Sequence, residues 1–362
     1  MNLNLRSFLT LFISIILTQA ALGQKYSNEF LSIGVGANAL GLGNAVVANT
    51  ADVTSGYWNP AGLAGISADE GVLLGAMHSE WFAGITKMDF IGFSLPMAQP
   101  DRRMGFSVIR FGVDGIPNTL SLYNSDGTVN FDNVTEFSAA DYAFLFSYGQ
   151  KMKVKKGTLQ MGANLKIVHR KIGPFANSWG FGLDFGAQYQ INKWKLGLMA
   201  SDVTTTFNAW SFSFTDDQKD VLEASGGEVP IKSLEITKPH LTLGVSRSFE
   251  VKEISLRPEL DIFVTTDGRR NTLLSANPFS IDLSLGLEAG YHDFLFLRAG
   301  VSQFQKQENF DNSETLVVRP SLGVGLKLGK LTVDYAYTNP SDGQNRFAHI
   351  VSLQYNVRPK GK

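Results

Sequence analysis

The sequence predicts an all-β chain that closes into a 14-stranded antiparallel transmembrane β-barrel with a short N-terminal plug. Three observations predict it. Apolar and polar side chains alternate with a period of two from about Glu70 to Val357; connectors alternate between short and long; aromatic residues gather at strand ends. Successive side chains on a strand point to opposite faces, so this alternation gives each segment one apolar and one polar face.

The alternation is plain where Trp179, Phe181, Leu183, Phe185, Ala187 and Tyr189 are separated by glycine or polar residues, and again where Ile281, Leu283, Leu285, Leu287, Ala289 and Tyr291 are. Read this way, strands fall near 70–79, 86–95, 102–113, 136–149, 157–170, 178–190, 194–203, 236–248, 253–266, 279–291, 293–304, 315–328, 330–338 and 346–357. Connectors after even-numbered strands are short, down to His292 and Gly329 alone. Those after odd-numbered strands run longer, with Asp114–Thr135 and Thr204–Glu235 the extremes. Tight turns at one end and variable loops at the other are the plan of an outer-membrane barrel.

A soluble sandwich also needs one apolar face per strand. Many of these strands reach ten residues or more, long enough to cross a bilayer at a tilt. Trp81, Trp179, Tyr337 and Phe347 on the loop side, with Tyr148, Tyr189, Trp194, Tyr291 and Tyr355 on the turn side, are placed to form two interfacial girdles. Gly162, Gly182, Gly244, Gly286 and Gly323 fall on the polar face, where glycine weakens a solvated strand but makes room for a plug inside a barrel.

Composition agrees. Charged residues are 18% of 362, below the roughly 25% of soluble domains, and the formal charge of −1 gives no basic nucleic-acid footprint. Cysteine is absent, which excludes disulfides, thiolate metal sites and cysteine nucleophiles. Residues 1–23 read as a signal peptide, with Arg6, an apolar stretch over Phe8 to Leu17 and Ala21-Leu22-Gly23 before the cleavage point, so the mature chain is expected in the outer membrane. Residues 24–69 are too short and too weakly apolar for their own core and are expected as a hatch inside the barrel of residues 70–362. Polar residues such as Lys166, Asp184, Glu259, Glu288, Arg298, Arg319 and Asp334 would meet it in the lumen.

Within the hatch, Phe30-Leu31-Ser32-Ile33-Gly34, Ala39 to Ala45 and Tyr57-Trp58-Asn59-Pro60-Ala61-Gly62-Leu63 resemble the N-terminus of the PorV/PorQ family, outer-membrane proteins of the type IX secretion system. That family is similar to the FadL long-chain fatty acid transporters, whose hatch carries an Asn-Pro-Ala motif, here Asn59, Pro60 and Ala61. The resemblance implies a binding protein rather than an enzyme, without a cofactor or metal. It would bind translocon or attachment-complex subunits and the C-terminal domains of secreted cargo, beside outer-membrane lipid. Phe207, Trp210, Phe212 and Phe214 in the loop Thr204–Glu235 are the candidate partner-binding residues, since clustered apolar side chains rimmed by polar ones mark interaction sites. The alternative is a FadL-like channel for long-chain fatty acids or other hydrophobic molecules, with Phe294, Phe296 and Arg298 sharing an inward phase in the lumen.

Other candidates carry less. The histidines (His78, His169, His240, His292, His349) are scattered without ligand spacing. Gly180-Phe181-Gly182-Leu183-Asp184-Phe185-Gly186 lacks the strand-to-helix context of a dinucleotide loop. The oxygen-rich stretch Asn124 to Asp132 fits a turn better than a calcium site. Lys151, Lys153, Lys155 and Lys156 crowd one short turn, where they would meet solvent, anionic headgroups or a periplasmic partner.

Overall fold

Period-two segments do form the wall. The computed structural model describes residues 27–122, 128–224, 226, 232–308, 313–339 and 347–357; the signal peptide expected over 1–23 lies outside them, as does the C-terminal end from 358. The strands are β1 (Val72–Trp81), β2 (Thr86–Pro96), β3 (Arg102–Asn118), β4 (Thr135–Lys153), β5 (Thr158–Ile172) and β6 (Ala176–Ile191). Next come β7 (Trp194–Ser201), β8 (Thr206–Phe212), β9 (Lys232–Thr237), β10 (His240–Arg247), β11 (Phe249–Val251) and β12 (Ile254–Thr265). The last are β13 (Leu274–Ser275), β14 (Ser280–Tyr291), β15 (Leu295–Glu308), β16 (Glu314–Leu328), β17 (Leu331–Thr338) and β18 (Ala348–Val357).

These strands make one antiparallel barrel, closed where β1 pairs with β18 from Val72↔Val357 to Glu80↔His349. Closure leaves no unpaired edge, the condition a sheet must meet to cross a bilayer. β7 and β8 pair successively with β6, and β9 and β10 are their partners on the other side, so each pair forms one stave; β11 prolongs the β10 stave along β12, the two-residue β13 only extends the ladder of β14, and the ring has 14 staves. Asp202–Thr205 interrupts the seventh stave: Asp202 and Thr205 take left-handed backbone, and the Asp202 amide turns inward to the Asp184 carboxylate at 2.9 Å. The extreme loop expected over Thr204–Glu235 therefore opens with β8 and closes with β9, with a short helix at Asp216–Ala224 between them, and Phe207, Trp210 and Phe212 lie on β8 rather than in a loop.

Each stave turns large apolar side chains outward, among them Leu74, Ile91, Met104, Phe146, Leu165 and Phe185 on the first six. A continuous belt of this kind is untenable in water and natural against acyl chains. Trp179, Phe347, Trp194, Tyr291 and Tyr355 stand exposed near its two margins. Trp81 does not join them: it shares the phase of Leu73, Met77 and Ser79, points inward, and donates from Nε1 to Ser79 Oγ at 2.8 Å.

The hatch fills the lumen in short pieces: a 3₁₀ turn at Glu29–Ser32, helix α1 (Ala37–Gly41), helix α2 (Ser55–Trp58) and a 3₁₀ turn at Pro60–Gly65. Its apolar side chains, including Val35, Leu40, Val53 and Leu63, pack on Met77, Phe90, Ile109, Leu145, Val168 and Ile350 of the neighbouring wall. The lumen is thus two-faced, mainly apolar over β18 and β1–β4, with Arg103 the buried exception, and charged from Lys166 on β5 round to Asp334 on β17. The inward glycines act as notches. A Cβ on Gly162 would strike Pro60 and Ala61, one on Gly286 Leu42, and one on Gly323 the backbone of Gly41, while Gly182 makes room for Thr206.

Candidate functional site

Asn59 fixes the middle of the hatch. Its Oδ1 accepts from the Ala61 amide, capping the 3₁₀ turn that Pro60 opens with its pre-set φ. Its Nδ2 faces the carbonyls of Val47 (2.9 Å), Ala187 (3.2 Å) and Leu198 (3.3 Å), the last two being partners across the β6–β7 seam. Only a short side chain carrying both a donor pair and an acceptor can serve one turn and two staves at once. Ala61 is fully buried.

Earlier in the chain, Leu42–Asn49 lies across the lumen as a partition. Val46 and Val47 donate their amides to Asp261 Oδ2 (2.9 and 3.0 Å), and the Ala48 amide and Asn49 Nδ2 donate to the two oxygens of Glu259 (both 2.7 Å). From the opposite side Gln188 Nε2 donates to the carbonyls of Val47 and Thr50 at 3.0 Å. Glu259 and Asp261 are two apart on β12 and so share the inward face.

The partition separates two cavities. The one at the loop end has about 560 Å³ and is bordered by Tyr57, Trp58, Leu145, Met199 and Phe263, with Asn44 and Val47 of the partition beneath it. The one at the turn end has about 320 Å³ and takes Leu42, Ala45, Val46 and Asn49 from the partition's other side, with Phe296 and Arg298 of the wall. The larger falls within the range of small-molecule sites.

Charge around the loop-end cavity is one-sided. Six carboxylates (Glu29, Asp184, Asp202, Asp261, Asp267, Asp282) border it against three cations, Lys166, Lys238 and Arg270. Two of those cations are already neutralised: Lys166 bridges Asp184 (2.9 Å) and Asp202 (2.6 Å), and Arg270 grips Asp267 and Glu29. Although burial opposes the Arg270 charge, those two carboxylates hold its guanidinium protonated well above the ordinary arginine value. Burial also pushes the Tyr57 phenol well up, so it stays a neutral donor to the Leu31 carbonyl.

The predicted residues are dispersed. Asn59, Pro60 and Ala61 lie in the hatch core. Trp210 points inward beneath Arg170 (5.1 Å), Phe212 stacks on Trp210 and Phe214, and Phe214 on Phe175, so three of the four aromatic candidates are engaged on the barrel itself. Phe207 faces outward beside Phe181. Arg298 is buried between Glu288 (2.8 Å) and Asp334 (2.6 Å), with Phe296 beneath its guanidinium. Phe294 is not a lumen residue: it falls in the turn before β15 and is half exposed, because the inward phase begins only once the strand does. Asp261, Gln188 and Met199 are not singled out by the sequence; Asp261 is within its reach, since it shares the phase of Glu259.

No family model matches the chain, and no curated protein sequence does. Solved structures do. The toluene transporter TodX of Pseudomonas putida aligns with a TM-score of 0.56 at 13% identity, over 90% of this chain and 98% of its own. The monoaromatic hydrocarbon channel CymD aligns at 0.55 and 15% identity, over 91% and 99%. A FadL homologue of Pseudomonas aeruginosa aligns at 0.54 and 12% identity, over 89% and 98%. The fold of this chain is that of the FadL-like outer-membrane barrels.

Proposed function

We propose that the chain is an outer-membrane channel that admits small, neutral, hydrophobic molecules through the loop-end cavity and past the hatch. The observation that carries this reading is the pair of cavities in series within the lumen, with residues of the hatch segment Leu42–Asn49 lining both. The structural neighbours include proteins described as a toluene transporter and a monoaromatic hydrocarbon channel, which supports the same class. The excess of carboxylates around the entrance argues against a fatty-acid anion, whose charge would be repelled where few cations are free to pair with it. Tyr57, Trp58 and Phe263 offer instead ring faces and edges to a neutral aromatic body. No residue in this scheme performs covalent chemistry.

Equilibrium dialysis of the detergent-solubilised full-length protein against benzyl alcohol and benzoate tests it, since the two share a ring and differ in charge. Saturable binding of benzyl alcohol, at least roughly ten-fold tighter than benzoate, is expected, with Met199→Trp abolishing it by filling the cavity. Absence of saturable binding, or preference for benzoate, would contradict it. The secretion-linked reading stays in view because Phe131, Leu274 and Phe279 stand exposed at the loop end, where a cargo domain or translocon subunit would meet them. Such a partner co-purifying in place of small-molecule binding would favour it.

A further inference from the structure

The turn end of β6–β12 carries a row of exposed cations, interrupted by Glu250 and Glu253, that the channel reading does not use. Arg247 ends β10 pointing outward, opposite Trp194 across the ladder. Its guanidinium lies over two rings at once, 5.0 Å from the centre of Trp194 and 4.9 Å from that of Phe249. Both rings are themselves part-exposed, so the cation is held at the margin of the apolar belt by stacking. The adjoining turns extend the charge. Lys193 is drawn against this strand end by the Ser248 amide, which donates to its carbonyl at 2.9 Å, and Lys252 stands exposed in the next turn. On the other flank Tyr189 donates to the Lys156 carbonyl, bringing the exposed Lys155–Lys156 turn beside β6. Among the described residues none of these five cations makes an ion pair, and nearby Glu253 pairs with His292 instead.

We propose that this row binds the phosphate headgroups of anionic phospholipids in the periplasmic leaflet, with Arg247 over Trp194 and Phe249 as the anchoring cation. The choice of a lipid follows from position. Arg247 shares the outward face with Leu196 and Val245 of the belt and with the interfacial ring of Trp194, which places it at headgroup height. Unpaired cations at that level attract anionic lipid, and the planar guanidinium offers a phosphate two parallel donors. The inference rests on the outer-membrane reading for the leaflet it names.

Native mass spectrometry of the detergent-solubilised full-length protein, titrated with phosphatidylglycerol and phosphatidylethanolamine of identical acyl chains, tests it. Wild type should retain the anionic lipid at least roughly five-fold better. Arg247→Gln should remove most of that preference, and the double variant Lys193→Gln/Lys252→Gln should reduce it by a similar factor. Heat-modifiable gel mobility reports that each variant is a closed barrel. Equal retention of both lipids by wild type, or an undiminished preference in folded Arg247→Gln, would overturn the proposal. If the protein fractionates with the membrane, that failure touches this row of cations alone; soluble periplasmic protein would instead remove the outer-membrane reading itself.

Discussion

At the scale of single residues, Asn59 concentrates more bonding than its size suggests. It caps a turn, braces the partition through Val47, and ties the hatch to both sides of the β6–β7 seam. Replacing it with leucine keeps the volume, leaves the Ala61 amide without its acceptor, and takes one donor from the Val47 carbonyl, which keeps Gln188, and from the strand carbonyls of Ala187 and Leu198. A destabilisation of about 2 kcal/mol follows, chiefly from one unpaired buried amide at roughly 1–3 kcal/mol. Denaturant unfolding in detergent measures the loss, and faster amide exchange over residues 59–66 would localise it. Unchanged stability in Asn59→Leu would show that these bonds contribute nothing net. The motif was legible in the sequence as Asn59-Pro60-Ala61, but only through resemblance. The local cap on Ala61 apart, its bonding was not, because the carbonyl partners of its Nδ2 lie 12 to 139 positions away. Asp261 shows the same divide: its inward phase follows from its strand, yet nothing local says that the hatch crosses above it.

At the scale of elements, the staves were readable because a strand with one face on lipid and one on a plug must alternate, and alternation survives in sequence. It failed where the backbone breaks. Asp202–Thr205 reads as a polar run, so the chain beyond it passed for an aromatic loop, although Thr206–Phe212 resumes inward-outward alternation with Trp210 inside. The hatch offers no period at all, its pieces being shorter than two helical turns. It is seated by notches in the wall instead. A Cβ on Gly300 would fall on the Leu42–Gly43 peptide, so β15 holds the partition at backbone distance. Gly300→Val should therefore lift the partition while leaving the closed wall intact. Planar-bilayer recording should then show raised conductance over wild type, and residues 42–49 should exchange their amides faster. Wild-type conductance would mean that the partition does not seal the lumen.

Across the whole molecule, the outer face, the girdles and the closure were foreseeable, whereas the division of the lumen into an apolar half and a charged half was not. β1 and β2 are apolar on both faces, with Met77 and Phe90 inward while Leu74 and Ile91 face out, and such strands could equally have been read as soluble core. Their inner face exists for the hatch, and it leaves the acidic half free to border the cavity at the entrance. Passage from one cavity to the other requires the hatch to move, which a covalent tether would forbid. The chain has no cysteine of its own, and the Ala37 amide lies 2.7 Å from Ser352 Oγ, placing residues 37 and 352 within disulfide reach. The most direct test is uptake of radiolabelled toluene by cells producing the Ala37→Cys/Ser352→Cys double variant, oxidised and then reduced. A hatch-gated channel predicts uptake near that of cells lacking the protein when the bridge is closed, and recovery to the wild-type rate on reduction. Equal uptake by oxidised and reduced protein would contradict a hatch-gated channel.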